Sequence, residues 1–265
     1  MRLGPAIKRL AIASGLYRTA RGLARRVRGR ERAYFQADVG FYRALLPACA
    51  LCFDVGANIG EKSEALLRAG CRVVAVEPHP LVVPELRARC GWSPDWHLVV
   101  AAAGSRSAVA TLYAHAAHGQ SSLAPDWEEG RVIATFPVPV VTLDALADHF
   151  GRPDYCKLDV EGWELEVLLG LTHPVPLLSF EFHLTKRDIR KTDACLELLA
   201  AMGPAEVNVT PAERAEFHWP QWRPLADFPV WFPGELSRTL PGHPYGDIYV
   251  RRTGQQAGET APVPH

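Results

Sequence analysis

An α/β fold, a Rossmann-like doubly wound sheet of seven strands, is predicted by three observations. Short apolar runs alternate with helical patterns from residue 51 to residue 250. The first run, 51–55, opens into the turn Gly56-Ala-Asn-Ile-Gly60. The second, 72–77, closes on a lone acid, Glu77. Strand, glycine turn, helix and a strand-tip acid together describe a βαβ nucleotide site.

Each element has a local reason. Residues 34–48 read as a helix ending near Pro47, and 61–69 as an amphipathic helix closed by Gly70. A helix over 82–90 tolerates Pro84 only in its first turn. His97–Val100 is the third strand, Ala108–Tyr113 an edge strand, and 114–130 a polar loop. Pro137–Val141 brings the chain back, and Thr142 caps a helix over 143–150. The fourth strand is 155–159, followed by a helix from Trp163 to Leu171. Leu177–His183 is the fifth strand, 193–202 a helix, Val207–Val209 the sixth strand and Asp247–Val250 the seventh. Between the last two strands lies an insertion, 211–246, rich in Pro and aromatics: Phe217, Trp219, Trp222, Phe228, Trp231, Phe232 and Tyr245. Such rings could stack on a sugar, although a satellite core that pins the loop is the commoner use.

Composition bounds the class. A chain of 265 residues with 48% hydrophobic content supports one sizeable domain, placed at 33–252. Basic and acidic side chains both total 29, yet residues 1–32 hold ten basic groups against one acid, Glu31. That segment is a basic arm of net charge +9 and the remainder carries −9. Its apolar residues are broken by charges before any run reaches the length of a signal core or a membrane span. A cytoplasmic protein is expected, with contact between the arm and an anionic membrane as the sharper reading and a solvated helix on the domain's rim as the plainer one. Six cysteines are scattered through strands and helices, and the Cys49–Cys52 spacing finds no second pair to complete a zinc site. Buried, reduced thiols are expected. Residues 253–265 lack periodicity and read as a disordered tail.

The glycine spacing separates ligand classes. A dinucleotide site uses Gly-x-Gly-x-x-Gly to seat a pyrophosphate on a helix N-terminus. Here Gly56, Asn58 and Gly60 recur every second residue with no third glycine at that offset. A non-phosphorylated adenosine ligand fits better, and S-adenosylmethionine is the commonest. Asp54 is placed to accept from an amino group of the ligand, and Glu77 from two ribose hydroxyls. A second cluster, Lys157-Leu-Asp-Val-Glu-Gly-Trp-Glu164, projects Asp159 and Glu161 to one side if the strand end is extended. In 178–183, Leu178, Phe180 and Phe182 face one way while Ser179, Glu181 and His183 face the other. Neighbouring strands would bring Asp159 to Glu181, where a proton, a cation or donors must intervene. His183 could be that cation, or Asp159, Glu181 and His183 could hold a divalent metal ion.

The ordered set Phe53-Asp-Val-Gly-Ala-Asn-Ile-Gly60, Val76-Glu-Pro78, Leu143-Asp144, Lys157-Leu-Asp-Val-Glu-Gly162 and Phe180-Glu-Phe-His183 resembles the FkbM-type S-adenosylmethionine-dependent methyltransferases. The resemblance covers roughly residues 50–250 and implies a class I methyltransferase fold with the last strand antiparallel. It also implies O-methylation of a sugar, glycan or natural-product hydroxyl. On that reading Asp54, Gly56, Asn58, Gly60 and Glu77 hold the cofactor. Asp159 orients the methionine end of the cofactor or the acceptor, His183 is the base, Glu181 fixes its tautomer, and Glu161 is counted with them as catalytic. A nicotinamide-dependent oxidoreductase and a non-catalytic adenosine-binding protein are the alternatives. Nucleic acid is disfavoured as a partner because the core has no charged stripe.

Overall fold

The computed structural model describes residues 29–115, 121–124, 132–212, 214–228, 232–239 and 245–253. Most of the basic arm, the tail from 254, Trp231 and parts of the 114–130 loop lie outside the described residues. Helix α1 (Gly29–Leu45) precedes β1 (Leu51–Val55), α2 (Glu61–Ala69), β2 (Arg72–Val76), α3 (Val83–Cys90) and β3 (Trp96–Val99). Next come β4 (Ala102–Ala103), β5 (Ala108–His115), β6 (Val132–Val141), α4 (Leu143–Phe150), β7 (Tyr155–Leu158), α5 (Glu164–Leu168), β8 (Leu177–His183) and α6 (Lys186–Ala201). The chain then forms β9 (Ala205–Pro211), β10 (Arg223–Pro224), a short 3-10 turn, α7 (Gly234–Thr239) and β11 (Tyr245–Arg252).

The main sheet runs β10-β9-β11-β8-β7-β1-β2-β3. β11 inserts antiparallel between β8 and β9, while β3, β2, β1, β7 and β8 are parallel. This is the class I methyltransferase order with the antiparallel last strand. The sheet has eight strands rather than seven, because the insertion returns a two-residue strand, β10, to the edge of β9. Residues 108–113 were expected at a sheet edge. They do form an edge strand, though not of the main sheet: they pair with β6 in a separate three-stranded sheet, β4-β6-β5, where Leu112, Val138 and Val140 pack with Leu123.

Several boundaries move for local reasons. The first helix ends before Pro47, as its ring requires, but begins earlier, at Gly29. α6 starts at Lys186 because Thr185 caps it, its hydroxyl accepting from the Asp188 amide. α5 is confined to Glu164–Leu168, since Glu161 and Gly162 adopt left-handed backbone just before it. Thr142 caps α4 as expected.

The two sheet faces differ in chemistry. One buries Phe53, Val55, Phe180, Val209 and Ile248 under α4, α5 and α6. The other packs Cys52, Ala75 and Tyr155 under α1, α2 and α3, but towards the strand C-termini it becomes polar. In-register pairing sets Asp54 beside Lys157, Lys157 beside Ser179, and Glu181 beside Asp247. The aromatic insertion packs inward. Phe217 meets Phe41, Tyr249 and Trp222, and Trp219, Phe228 and Phe232 join the apolar face. Cys49 is exposed, against the expectation of burial, and the other five cysteines are buried; all six are free. Among the described residues no helix is long and apolar enough to cross a membrane.

Candidate active site

β1 delivers the chain into its turn at Gly56, where φ is +83° and a Cβ would stand 1.8 Å from the Asp159 carbonyl oxygen. Only glycine permits that approach. The Gly56 and Ala57 amides both donate to the Val76 carbonyl, at 2.9 and 3.2 Å, stitching the turn to the end of β2. Asn58 is left-handed at φ +50°, a conformation asparagine tolerates, and its amide donates to Glu77 Oε2 at 2.7 Å. Gly60 serves packing: a Cβ there would come 2.6 Å from Leu86 Cδ1 on α3.

The two predicted cofactor acids occupy different places. Glu77 lines a cavity beyond the turn, with its oxygens accepting from the Asn58 and His79 amides, both at 2.7 Å. Burial pushes its pKa up to about 7 against the pull of those two bonds. Asp54 sits behind the turn, 1% exposed and outside the cavity lining, with Oδ2 accepting from Ser63 at 2.6 Å. Its Oδ1 is buried without a hydrogen-bond partner among the described residues. Burial raises its pKa, and Lys157 and Ser63 oppose the rise.

The cavity is partly open to solvent and has three walls and a cover. One wall is the turn with Glu77, a second is the Ala101–Ala103 run after β3, and a third is Asp159, Glu161 and Trp163 after β7. Ser121, Ser122 and Leu123 close it from the hairpin side. Ser122 Oγ donates to the Glu161 carbonyl at 2.7 Å. Glu161 is therefore not extended as the sequence suggested: it is left-handed at φ +55°, and still faces the same cavity as Asp159.

Asp159, Glu161 and Glu181 form the second cluster, with one oxygen of each within 4.8 Å of the others. Lys157 Nζ donates to Asp159 at 2.7 Å, and His183 Nε2 lies 3.1 Å from Glu181 Oε2. Two of the three acids thus have cationic partners from the protein itself. Burial would lower the His183 pKa, but the hydrogen bond and charge of Glu181 outweigh it and hold the imidazole above its ordinary value. Tyr245 stacks on the imidazole at 5.9 Å. Glu181 and His183 line a smaller pocket with Glu164, Lys191 and Cys195, so Glu181 stands between the two spaces. Residues 54–204 match the family model of the methyltransferase FkbM domain.

The chain belongs to the FkbM methyltransferase family. Every predicted site residue of this FkbM protein, from Asp54 to His183, falls inside the matched span. None of the curated proteins matches the chain. Among solved structures it is similar to a TehB-like SAM-dependent methyltransferase from Corynebacterium glutamicum (12% identity, 92% of this chain and 99% of that one, TM-score 0.44). It is also similar to precorrin-6y C5,15-methyltransferase from Geobacter metallireducens (14%, 85% and 90%, TM-score 0.42). A third is the N-methyltransferase NodS from Bradyrhizobium japonicum (9%, 87% and 91%, TM-score 0.42).

Sequence reasoning passed over three groups that the FkbM fold brings to the site. Lys157 is 3% exposed and faces Asp54, Asp159 and Asp247. Glu164 is 7% exposed, its carboxylate accepting from the Val160 and Gly162 amides, and burial raises its pKa to about 7. Ser122 comes from a loop with no motif. A lysine inside an apolar strand two residues before an acid was a legible signal for the first; nothing local marked the third.

Proposed function

We propose that the cavity binds S-adenosylmethionine and that the enzyme transfers its methyl group to a hydroxyl of a sugar, glycan or other natural product. The observation that carries the choice of cofactor is the fate of the amides in the glycine turn. Those of Gly56 and Ala57 are used by Val76, that of Asn58 by Glu77 and that of Gly60 by the Ala57 carbonyl. A pyrophosphate would have to compete for these four donors, which favours an uncharged sugar over a nicotinamide dinucleotide at this turn. An uncharged ribose needs only an acceptor, and each Glu77 oxygen retains a lone pair beyond its backbone bond.

On this reading Gly56, Asn58 and Glu77 contact the cofactor, while Gly60 and Asp54 shape the turn from behind. Asp159 and Glu161 flank the methyl donor. His183, with Glu181 fixing its orientation, accepts the proton of the acceptor hydroxyl as the oxygen attacks the methyl carbon and the carbon–sulfur bond breaks. In-line alignment supplies up to ~7–11 kcal/mol, and proton removal about 10²–10⁴-fold. Calorimetry with S-adenosylmethionine, S-adenosylhomocysteine and NAD tests the cofactor. Heat with NAD alone would end this reading. Mass spectrometry of extracts from parent and deletion strains, searching for a missing methyl increment on a glycan or metabolite, identifies the acceptor.

A further inference from the structure

The backbone from Asp159 to Gly162 is held by partners on several elements at once. The Asp159 amide donates to the Val55 carbonyl on β1 at 2.9 Å. The amides of Val160 and Gly162 both donate to Glu164 Oε1, in the first turn of α5, at 3.3 and 3.1 Å. Two carbonyls of the turn are met by side chains from far along the chain. Ser122 Oγ donates to that of Glu161 at 2.7 Å, and Lys191 Nζ, on α6, donates to that of Gly162 at 3.1 Å. Ser122 is itself fixed: it is 1% exposed, and it exchanges backbone hydrogen bonds with Tyr113 on β5 at 2.9 and 3.2 Å. Its hydroxyl also accepts from the Ala124 amide at 3.0 Å.

These bonds hold a conformation that is unfavourable for one of the residues in it. Glu161 stands at φ +55° and Gly162 at φ +84°. Glycine adopts such backbone freely, whereas a glutamate does so only where its surroundings impose it. A second glycine at 161 would relieve the strain, so the position keeps its side chain at a cost in stability. Glu161 lines the cavity, and one of its oxygens lies within 4.8 Å of the Asp159 and Glu181 carboxylates. We infer that Ser122 and Lys191 are positioning residues for the methyl donor: through the Glu161 and Gly162 carbonyls they keep the turn left-handed and so aim the Glu161 carboxylate into the cavity. The inference rests on the reading of that cavity as the S-adenosylmethionine site. One tether comes from the hairpin side of the cavity and the other from α6, and they converge on adjacent residues of the turn.

The test is a double-mutant cycle on the full chain, read by calorimetry with S-adenosylmethionine. Ser122→Ala and Glu161→Gly should each weaken binding at least tenfold. The double variant should bind no more weakly than Glu161→Gly alone, because Ser122 acts through that side chain. Losses that multiply would overturn the inference, and so would unchanged affinity in Ser122→Ala. Ser122→Thr keeps the hydroxyl and should restore the parent's affinity, while Lys191→Met should follow Ser122→Ala through the same cycle. Glu161→Gly should unfold at a urea concentration no lower than the parent, since glycine releases the strain. A lower midpoint would make Glu161 a residue of the fold rather than of the site. Hydrogen exchange of the Val160 and Gly162 amides, measured without ligand, separates the tethers from the cofactor reading. Exchange at least tenfold faster in Ser122→Ala, with β1 and β7 unchanged, supports the tethers; equal exchange overturns them. A parent that gives no heat with S-adenosylmethionine, yet shows this faster exchange in the variant, removes the cofactor reading and leaves the tethers standing.

Discussion

Lys157 and Asp159 form a charge pair at 2.7 Å in which the ammonium is buried and the carboxylate reaches the cavity. Burial alone would lower the Lys157 pKa, but Asp159, Asp54 and Asp247 outweigh it and keep the side chain charged. One cation thus faces acids on β1, on β11 and just after β7. Lys157→Met is expected to cost about 3–5 kcal/mol at pH 8, because it leaves Asp54 and Asp247 buried without their counter-charge. Their carboxyls would then titrate still higher in the folded state, so the cost should shrink at pH 5. Urea titrations at the two pH values decide; an equal loss at both would reduce Lys157 to packing.

Glu164 makes the fold sensitive to pH. Its folded-state pKa of about 7 lies above the unfolded carboxylate value of about 4.3, so the folded state holds the proton more tightly. The stabilisation is complete below the unfolded pKa and is withdrawn as pH rises through the folded one, by an amount on the order of 3 kcal/mol. Glu164→Gln keeps an oxygen for the Val160 and Gly162 amides and removes the titration. Relative to the parent, the variant should gain stability between pH 5 and pH 8 in denaturant melts.

Gly56→Ala should fail at once on two counts, since the site needs both φ +83° and the space a Cβ would take beside the Asp159 carbonyl. A stability loss of about 2–4 kcal/mol is expected, together with loss of S-adenosylmethionine binding in calorimetry. Normal binding would show that the turn relaxes without disturbing the cavity.

His183 should titrate above the ordinary imidazole range, and Glu181→Gln should bring it down, because the carboxylate holds the proton there. As a base His183 works only when unprotonated. The turnover rate should therefore rise with pH across its titration, and the inflection should move to lower pH in Glu181→Gln. NMR of the ring nitrogens reads the first effect, and a pH–rate profile reads the second. Full turnover by His183→Ala would remove the base assignment.

Sequence alone determined the strand cores, the glycine turn, the acid at the tip of β2 and the polar face of β8. Each is written in a period of two residues or in a backbone conformation that one residue type provides. It could not show that Asp54 lies behind the turn while Glu77 lines the cavity, because both are strand-end acids until α2 supplies Ser63 to the first and two backbone amides meet the second. Nor could it place Ser122 on the Glu161 carbonyl or Lys157 among three carboxylates. The contacts of Asn58 with Glu77, Ser122 with Glu161, and Lys157 with Asp54 and Asp247 join residues far apart in the chain, so packing against distant partners decided them, and only the folded sheet brings those partners together.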